Sequence, residues 1–338
     1  MIKVDNSFKK RVFYYTTHQN EEGFKRIKEQ IFKIIEDENY TELETLIGKK
    51  YTDEFSVFIF YKAILEKISK IHNPIIKKQL LELDWFRVLV GSIQDLRKII
   101  KDNYCILSKI YPLPKDFEEY KKTFEDLYKN QLSNNDKLKT KFFSIFTNIN
   151  VCPYCNRNFI NPIYKEESLE GEFEKWSPDI EHFFPKSIYP FLSLSISNLL
   201  PSCTFCNKIK HDVDTYKYNC ISPYEVKEGD FEFDFDLEST KVKEVILKTK
   251  GYYNSKLFHI ESLYNEVHKE YINDILNKPI KYPDIYKNKL NEKQQLTEDD
   301  YIEVFRNYYK EDDFNKHPLS KMTKELMIKI SEYNKTSQ

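Results

Sequence analysis

The chain has 338 residues, of which 40% are hydrophobic and 32% charged, with a formal net charge of −1. That balance excludes a protein that coats nucleic acid through bulk positive charge, though a local cationic site remains compatible with it. No run of about 18 apolar residues occurs, so no membrane-spanning helix is expected. The N-terminus is basic but lacks an apolar stretch and a small-residue cleavage site, which argues against a secretory signal and makes a cytoplasmic protein the expectation.

From Glu21 to about Thr147 the pattern is helical. EEGFKRIKEQIFKII repeats Phe24, Ile27, Ile31 and Ile34/Ile35 at helical spacing. DEFSVFIFYKAILEKISKI follows, with Thr52 and Asp53 as starting caps. QLLELDWFRVLVGSIQDLRKIIKDNY carries an apolar stripe of Trp85, Leu89, Ile93 and Leu96. Pro112 and Pro114 break the run, KDFEEYKKTFEDLYKN reads as a short amphipathic helix, and LSNNDK is a polar link. The texture changes at Asn148, where CPYCNRNFINPIY looks like a metal-knuckle turn leading into a strand. KEESLEGEFEKW then reads as a solvated loop or hairpin. FEFDFDL alternates apolar and acidic residues as a strand does, and KVKEVILKT can pair with it. Helices resume with SKLFHIESLYNEVHKEYINDIL, and the Lys-rich tail, SEYNKTSQ included, is expected to fray. The expected class is α+β, mostly α, in three parts: a helical region over 1–147, a small Cys/His-rich core over 148–222, and short strands followed by helices over 223–338.

Two CxxC pairs, Cys152/Cys155 and Cys203/Cys206, can each present two thiolates from one tight turn. Together they make the closed tetrahedral shell of structural zinc. Their separation exceeds the usual zinc-ribbon spacing, so something is inserted between the halves of the staple. The insert holds DIEHFFPKS, with Asp179, Glu181, His182, Pro185 and Lys186, and runs on into SNLLPSCTFCNKIKHD, with Asn198, Asn207, Lys208, Lys210 and His211. From Phe183 to His211 the chain has no Asp or Glu, which favours local positive potential.

A CPYC first knuckle, an acidic–His pair before a Pro-Lys turn, an NLLP segment and a CxxCNxxK second knuckle stand in this order between about Val151 and Asp214. In this combination the stretch resembles the HNH endonuclease family, whose ββα-metal hairpin and helix hold one divalent cation. The resemblance implies a Mg²⁺- or Mn²⁺-dependent nuclease in which His182 is the general base and Asn198 braces the loop and orients it. Asn207 would lie at the third family position. Glu181 precedes the base where the family ligates metal, and Asp179 is its rival. If CNKIKHD opens a helix, Asn207 and His211 share one face and can both reach the metal. Lys210, and more weakly Lys186, would touch phosphate, and Zn²⁺ on the four cysteines would be structural. The arrangement is also similar to bacterial HNH proteins of anti-phage defence and restriction, some of which work with an ATPase partner, as in Septu-like pairs. This implies a nucleic-acid substrate, DNA ahead of RNA, and an ATPase partner chain or homo-oligomer. No Walker A sequence occurs here, so any nucleotide dependence would come from another chain.

Other readings compete. The cysteines alone are compatible with a non-catalytic zinc-stapled binding or scaffold protein. CPYC is also a glutaredoxin active-site sequence, but that fold needs the motif early in a βαβ unit and has no use for a second CxxC. His18, His72, His259, His268 and His317 read as surface or satisfied histidines, Cys105 as packing, and Cys220 as a bystander. The aromatics of FIFYK, FFSIF and LFHIESLY read as core. Arg157 and Asn158, just past the first knuckle, read as a solvated turn before a phosphate contact.

Overall fold

A computed structural model describes residues 1–3, 57–108, 114–144, 146, 149–161, 178–238, 241–281, 289 and 314–336. The expected helix around Phe24–Ile35, the Thr52/Asp53 caps and the acidic KEESLEGEFEKW segment lie outside the described residues. Among the described residues the chain is mixed α+β and mostly helical.

The first helices are set by their caps. α1 is Val57–Ile68 and α2 is Pro74–Glu82, where Pro74 fills the first turn and Asn73 accepts the Ile75 and Ile76 N–H groups. The stretch expected to carry one long stripe is three helices, α2, α3 (Trp85–Val90) and α4 (Ile93–Leu107). Asp84 caps α3, and Ser92 with Asp95 makes a capping box for α4. Each break lets the stripe turn and pack on itself, so Trp85, Leu89, Ile93 and Leu96 are all buried. α5, Pro114–Tyr128, stacks Phe124 against Trp85 at 5.9 Å between ring centroids and ends in a π turn, Lys129–Ser133. α6 spans Asp136–Ser144.

A short antiparallel hairpin follows. β1 (Asp179–His182) pairs with β2 (Leu199–Ser202), with Asp179 opposite Ser202 and His182 opposite Leu199. The loop between them carries two 3-10 turns, Pro190–Leu192 and Ile196–Asn198. α7, Thr204–Lys210, packs on β1. This is a β–β–α unit.

The helices α3 and α5 hold the hairpin loop. Tyr120 Oη accepts the Phe191 N–H at 3.1 Å, and Ser197 Oγ donates to the Gly91 carbonyl at 2.5 Å. Arg97 on α4 donates to the Cys220 carbonyl, pairs with Glu225 at 3.0 Å, and lies over the rings of Phe183 and Phe184.

Beyond the site, β3 (Phe231–Glu238) pairs antiparallel with β4 (Lys241–Thr249), as the alternation predicts. Phe231, Phe233 and Phe235 face inward, and the acidic residues between them face out or sideways. The outer N–H groups of β4 at Val242, Val245 and Leu247 are accepted by Asn273, Asn265 and Glu261, so helices close that edge. The predicted C-terminal helix divides into α8 (Asn254–Leu257), α9 (Ile260–Val267) and α10 (Lys269–Lys281). α11, Ser320–Thr336, packs on β3 and continues into the tail expected to fray. One apolar core joins all these elements, and no helix among the described residues is long and apolar enough to cross a membrane.

Candidate functional site

The cysteines converge. Cys152, Cys155, Cys203 and Cys206 are buried and offer sulfurs that all lie within 4.8 Å of one another. The Cys155–Cys203 Sγ distance is 3.9 Å. A tetrahedron with Zn–S near 2.3 Å has S···S edges of about 3.8 Å, so the cluster is of the size that can hold a metal such as zinc. Hydrogen bonds among the four push the Cys203 thiol down and the Cys206 thiol up, and burial raises Cys152. The first knuckle is a tight turn through Asn156, at φ 51°, closed by a Val151–Phe159 bridge. Tyr264 of α9 donates to the Cys155 carbonyl at 2.9 Å, and Asn156 donates to the Phe314 carbonyl. The C-terminal helices thus anchor the staple. Cys220 is buried outside the cluster, where burial raises its thiol to about 11. Cys105, expected to be packing, is exposed on α4.

His182 ends β1 and is buried. Its Nε2 lies 3.0 Å from the Ser193 carbonyl. A carbonyl only accepts, so Nε2 carries the proton and Nδ1 is left with its lone pair. Burial, then Lys186 and Lys210, holds the imidazole well below its ordinary pKa, so it is neutral near pH 7. The Tyr128 ring meets it edge-on at 4.6 Å, and the Lys186 ammonium lies 4.4 Å from the same Tyr128 ring.

Asn198 fixes this geometry from the far end of the loop. Its Oδ1 accepts the Phe184 N–H at 2.7 Å, and its Nδ2 donates to the carbonyls of Phe184 and Leu192 at 3.0 and 3.1 Å. Those bonds tie the residues after His182 to the residue preceding Ser193.

Asp179 and Glu181 face α7. Asn207 donates to Asp179 Oδ2 at 3.1 Å, so these two half-buried residues meet. Glu181 lies deeper. Tyr154 donates to its Oε2, and the Lys210 ammonium is 2.6 Å from its Oε1. The contact is a close, fully buried ion pair, so both carboxylate oxygens of Glu181 are occupied. Lys210 is only 2% exposed and also donates to the His182 carbonyl at 2.6 Å. It braces the interior, a placement at odds with the phosphate contact expected from sequence.

His211 departs from expectation as well. α7 stops at Lys210, and His211 turns off the helix with φ 43°. Its side chain is 77% exposed and lies near Asp212, so it does not share a face with Asn207. Tyr154, Tyr128 and the Ser193 carbonyl were not singled out in the sequence. Tyr154 was visible only as part of CPYC, and a backbone carbonyl leaves no side-chain signal.

Over 61 residues the chain is 41% identical to Septu protein PtuB of Bacillus thuringiensis, a match covering 18% of this chain. The chain spans only 23% of that relative's length. No protein-family model and no solved structure matches the chain.

Proposed function

We propose that this chain is a metal-dependent HNH-type endonuclease that hydrolyses phosphodiester bonds, DNA ahead of RNA, in anti-phage defence. The observation that carries this reading is the neutral His182, with Nε2–H fixed on the Ser193 carbonyl and Nδ1 free to accept, at the end of a β–β–α unit. Asn198 holds that orientation. His182 Nδ1 takes a proton from a water as the water attacks phosphorus and the P–O3′ bond breaks, and the departing 3′ oxygen takes up a proton from solvent.

Asp179, Glu181 and Asn207 are oxygen donors of the kind a hard cation such as Mg²⁺ or Mn²⁺ prefers, and Asp179 and Asn207 meet at the half-buried end of the hairpin. When bound, such an ion neutralises charge developing on the phosphate. Lys186 is the residue beside His182 best placed to meet a phosphate. The defence role and an ATPase partner or second copy of the chain rest on the stretch similar to PtuB and on the sequence resemblance described above.

A second reading has one specific observation in its favour. The Lys210 ammonium lies beside Glu181 and competes with a divalent ion for that carboxylate, as suits a non-catalytic zinc-stapled scaffold. The test separates them. Wild type and His182→Ala are incubated with supercoiled plasmid and with total RNA in Mg²⁺, Mn²⁺ or EDTA, and the zinc content of both proteins is measured. The nuclease reading expects metal-dependent cutting that disappears in the variant at unchanged zinc content. Equal cutting by both proteins removes His182 from the chemistry, and cutting of RNA alone reassigns the substrate.

A further inference from the structure

We propose that the outer face of α7 and the turn after the first knuckle form a stacking platform for a nucleic-acid strand with an unpaired base. The base lies on Phe205, and its flanking phosphates lie against Arg157 and Lys208. The proposal rests on the nucleic-acid reading above, yet its evidence is separate from the His182 site.

Phe205 is 41% exposed on a helix whose neighbouring Cys203 and Cys206 are buried. The Arg157 guanidinium lies 5.9 Å from the ring centroid. Its Nε donates to His268 Nε2 at 2.5 Å. A nitrogen that accepts this bond is unprotonated, so the partner of Arg157 is a neutral imidazole. Arg157 is half-buried and makes no ion pair among the described residues.

Lys208 stands three residues after Phe205, hence on the same helix face, and is exposed. It too makes no ion pair among the described residues. Among the described residues neither cation beside the exposed ring is paired with a carboxylate, and Phe205 and Lys208 lie on a segment free of Asp and Glu from Phe183 to His211. Phe159, on the same knuckle turn as Arg157, is 61% exposed.

The chemistry fits a polyanion that carries flat rings. One aromatic face and an arginine give a sequence-tolerant stack for any unpaired base, and the two cations take the phosphates on either side. A duplex keeps its bases stacked on each other and cannot use Phe205 in this way. His268 holds the guanidinium in place before the ligand arrives, so little ordering is needed on binding. The same helix carries Asn207 inward to Asp179, which places the platform and the proposed reaction centre on opposite sides of one short helix.

The test is binding, not cutting. Fluorescence anisotropy is measured with a labelled single-stranded oligonucleotide and with its duplex, in the absence of added divalent ions. The proteins are wild type, Phe205→Ala, Phe205→Leu, Arg157→Gln and Lys208→Gln, each checked for zinc content. Loss of the ring should weaken single-strand binding by about tenfold in both Phe205 variants and leave duplex binding nearly unchanged. Arg157→Gln and Lys208→Gln should each lower the slope of log affinity against log salt by about 0.7. Single-strand affinity equal to wild type in zinc-replete Phe205 variants overturns the proposal, as does a wild type that binds no oligonucleotide or a Phe205 loss equal on duplex and single strand. Cutting that needs His182 beside unchanged Phe205→Ala binding would sink the platform and leave the nuclease. Lost binding beside a wild type that never cuts would do the reverse.

Discussion

Replacing Asn198 with alanine should loosen the loop that orients His182. Asn198 is fully buried, and its carboxamide satisfies three backbone groups: the Phe184 N–H, the Phe184 carbonyl and the Leu192 carbonyl. Alanine leaves all three without partners in a place water does not reach. Each buried group left unpaired costs about 1–3 kcal/mol, so the loss is about 3–6 kcal/mol with partial relaxation. Unfolding entropy of about 2.1 cal/mol/K per residue gives about 0.7 kcal/mol/K for this chain, so the thermal midpoint should fall by about 4–8 °C. Asn198→Asp should do no better. It keeps the acceptor for Phe184 but sets a carboxylate oxygen against two carbonyls. The assay is a thermal melt at fixed zinc, beside plasmid cleavage. The Ser193 carbonyl that fixes His182 follows directly on Leu192, so cutting should drop at least about tenfold while the cysteines stay loaded. A midpoint within about 1 °C of wild type, with cutting intact, would show that Asn198 does not hold the loop, since three bonds of that kind cannot be lost without consequence.

Other outcomes follow from the same geometry. Burial and then Arg157 hold His268 down to about 4 in the folded chain, while the unfolded chain protonates near 6.5. The unfolded state therefore binds more protons between those values, and stability falls as pH drops from about 6.5 towards 4. Chemical denaturation of His268→Asn across that range should show a shallower fall than wild type, and an identical slope would remove His268 as a contributor. In thiol titration of the zinc-loaded protein, Cys105 should react at once, and the four clustered thiols only after a strong chelator is added. Fast reaction of Cys152 or Cys155 without chelator would instead favour thiol–disulfide chemistry. Cys203→Ser should lose zinc and lower the thermal midpoint by more than Asn198→Ala does, because it opens the shell and unpins both knuckles.

The fold class and the meeting of the four cysteines were readable because their signals are local. The paired cysteines, the EH step before Pro185, and the alternation in FEFDFDL are patterns that neighbours in sequence impose on one another. The caps that divide the long N-terminal stripe were also on the page. Asp84, Gly91 and Ser92 are helix boundaries by their chemistry, but an unbroken run of apolar residues masks them when only periodicity is followed. The interior role of Lys210 was not readable. A lysine on a short polar helix is normally solvated, and only the meeting of Glu181 with α7 turns it inward. Tyr154 supplies the other half of that pairing from the first knuckle, far away in sequence. His211 was misplaced because one further residue of helix would have put it on the face of Asn207. The chain instead takes a left-handed turn there, and no glycine marks it.

The grip of α3 and α5 on the hairpin loop bears on how such a protein can change over evolutionary time. The carbonyl that selects the tautomer of His182 belongs to Ser193, and its loop is tethered to Gly91, Tyr120 and Phe124, residues that precede the four clustered cysteines. The stapled unit is therefore not a cassette that can be moved intact between proteins. A fragment beginning after the helical region would keep its cysteine shell and lose the alignment of its histidine. Substitutions in α3 and α5 that never approach a substrate should drift only together with the loop between β1 and β2. Descendants that exchanged the helical region wholesale would have had to rebuild the orientation of that single imidazole.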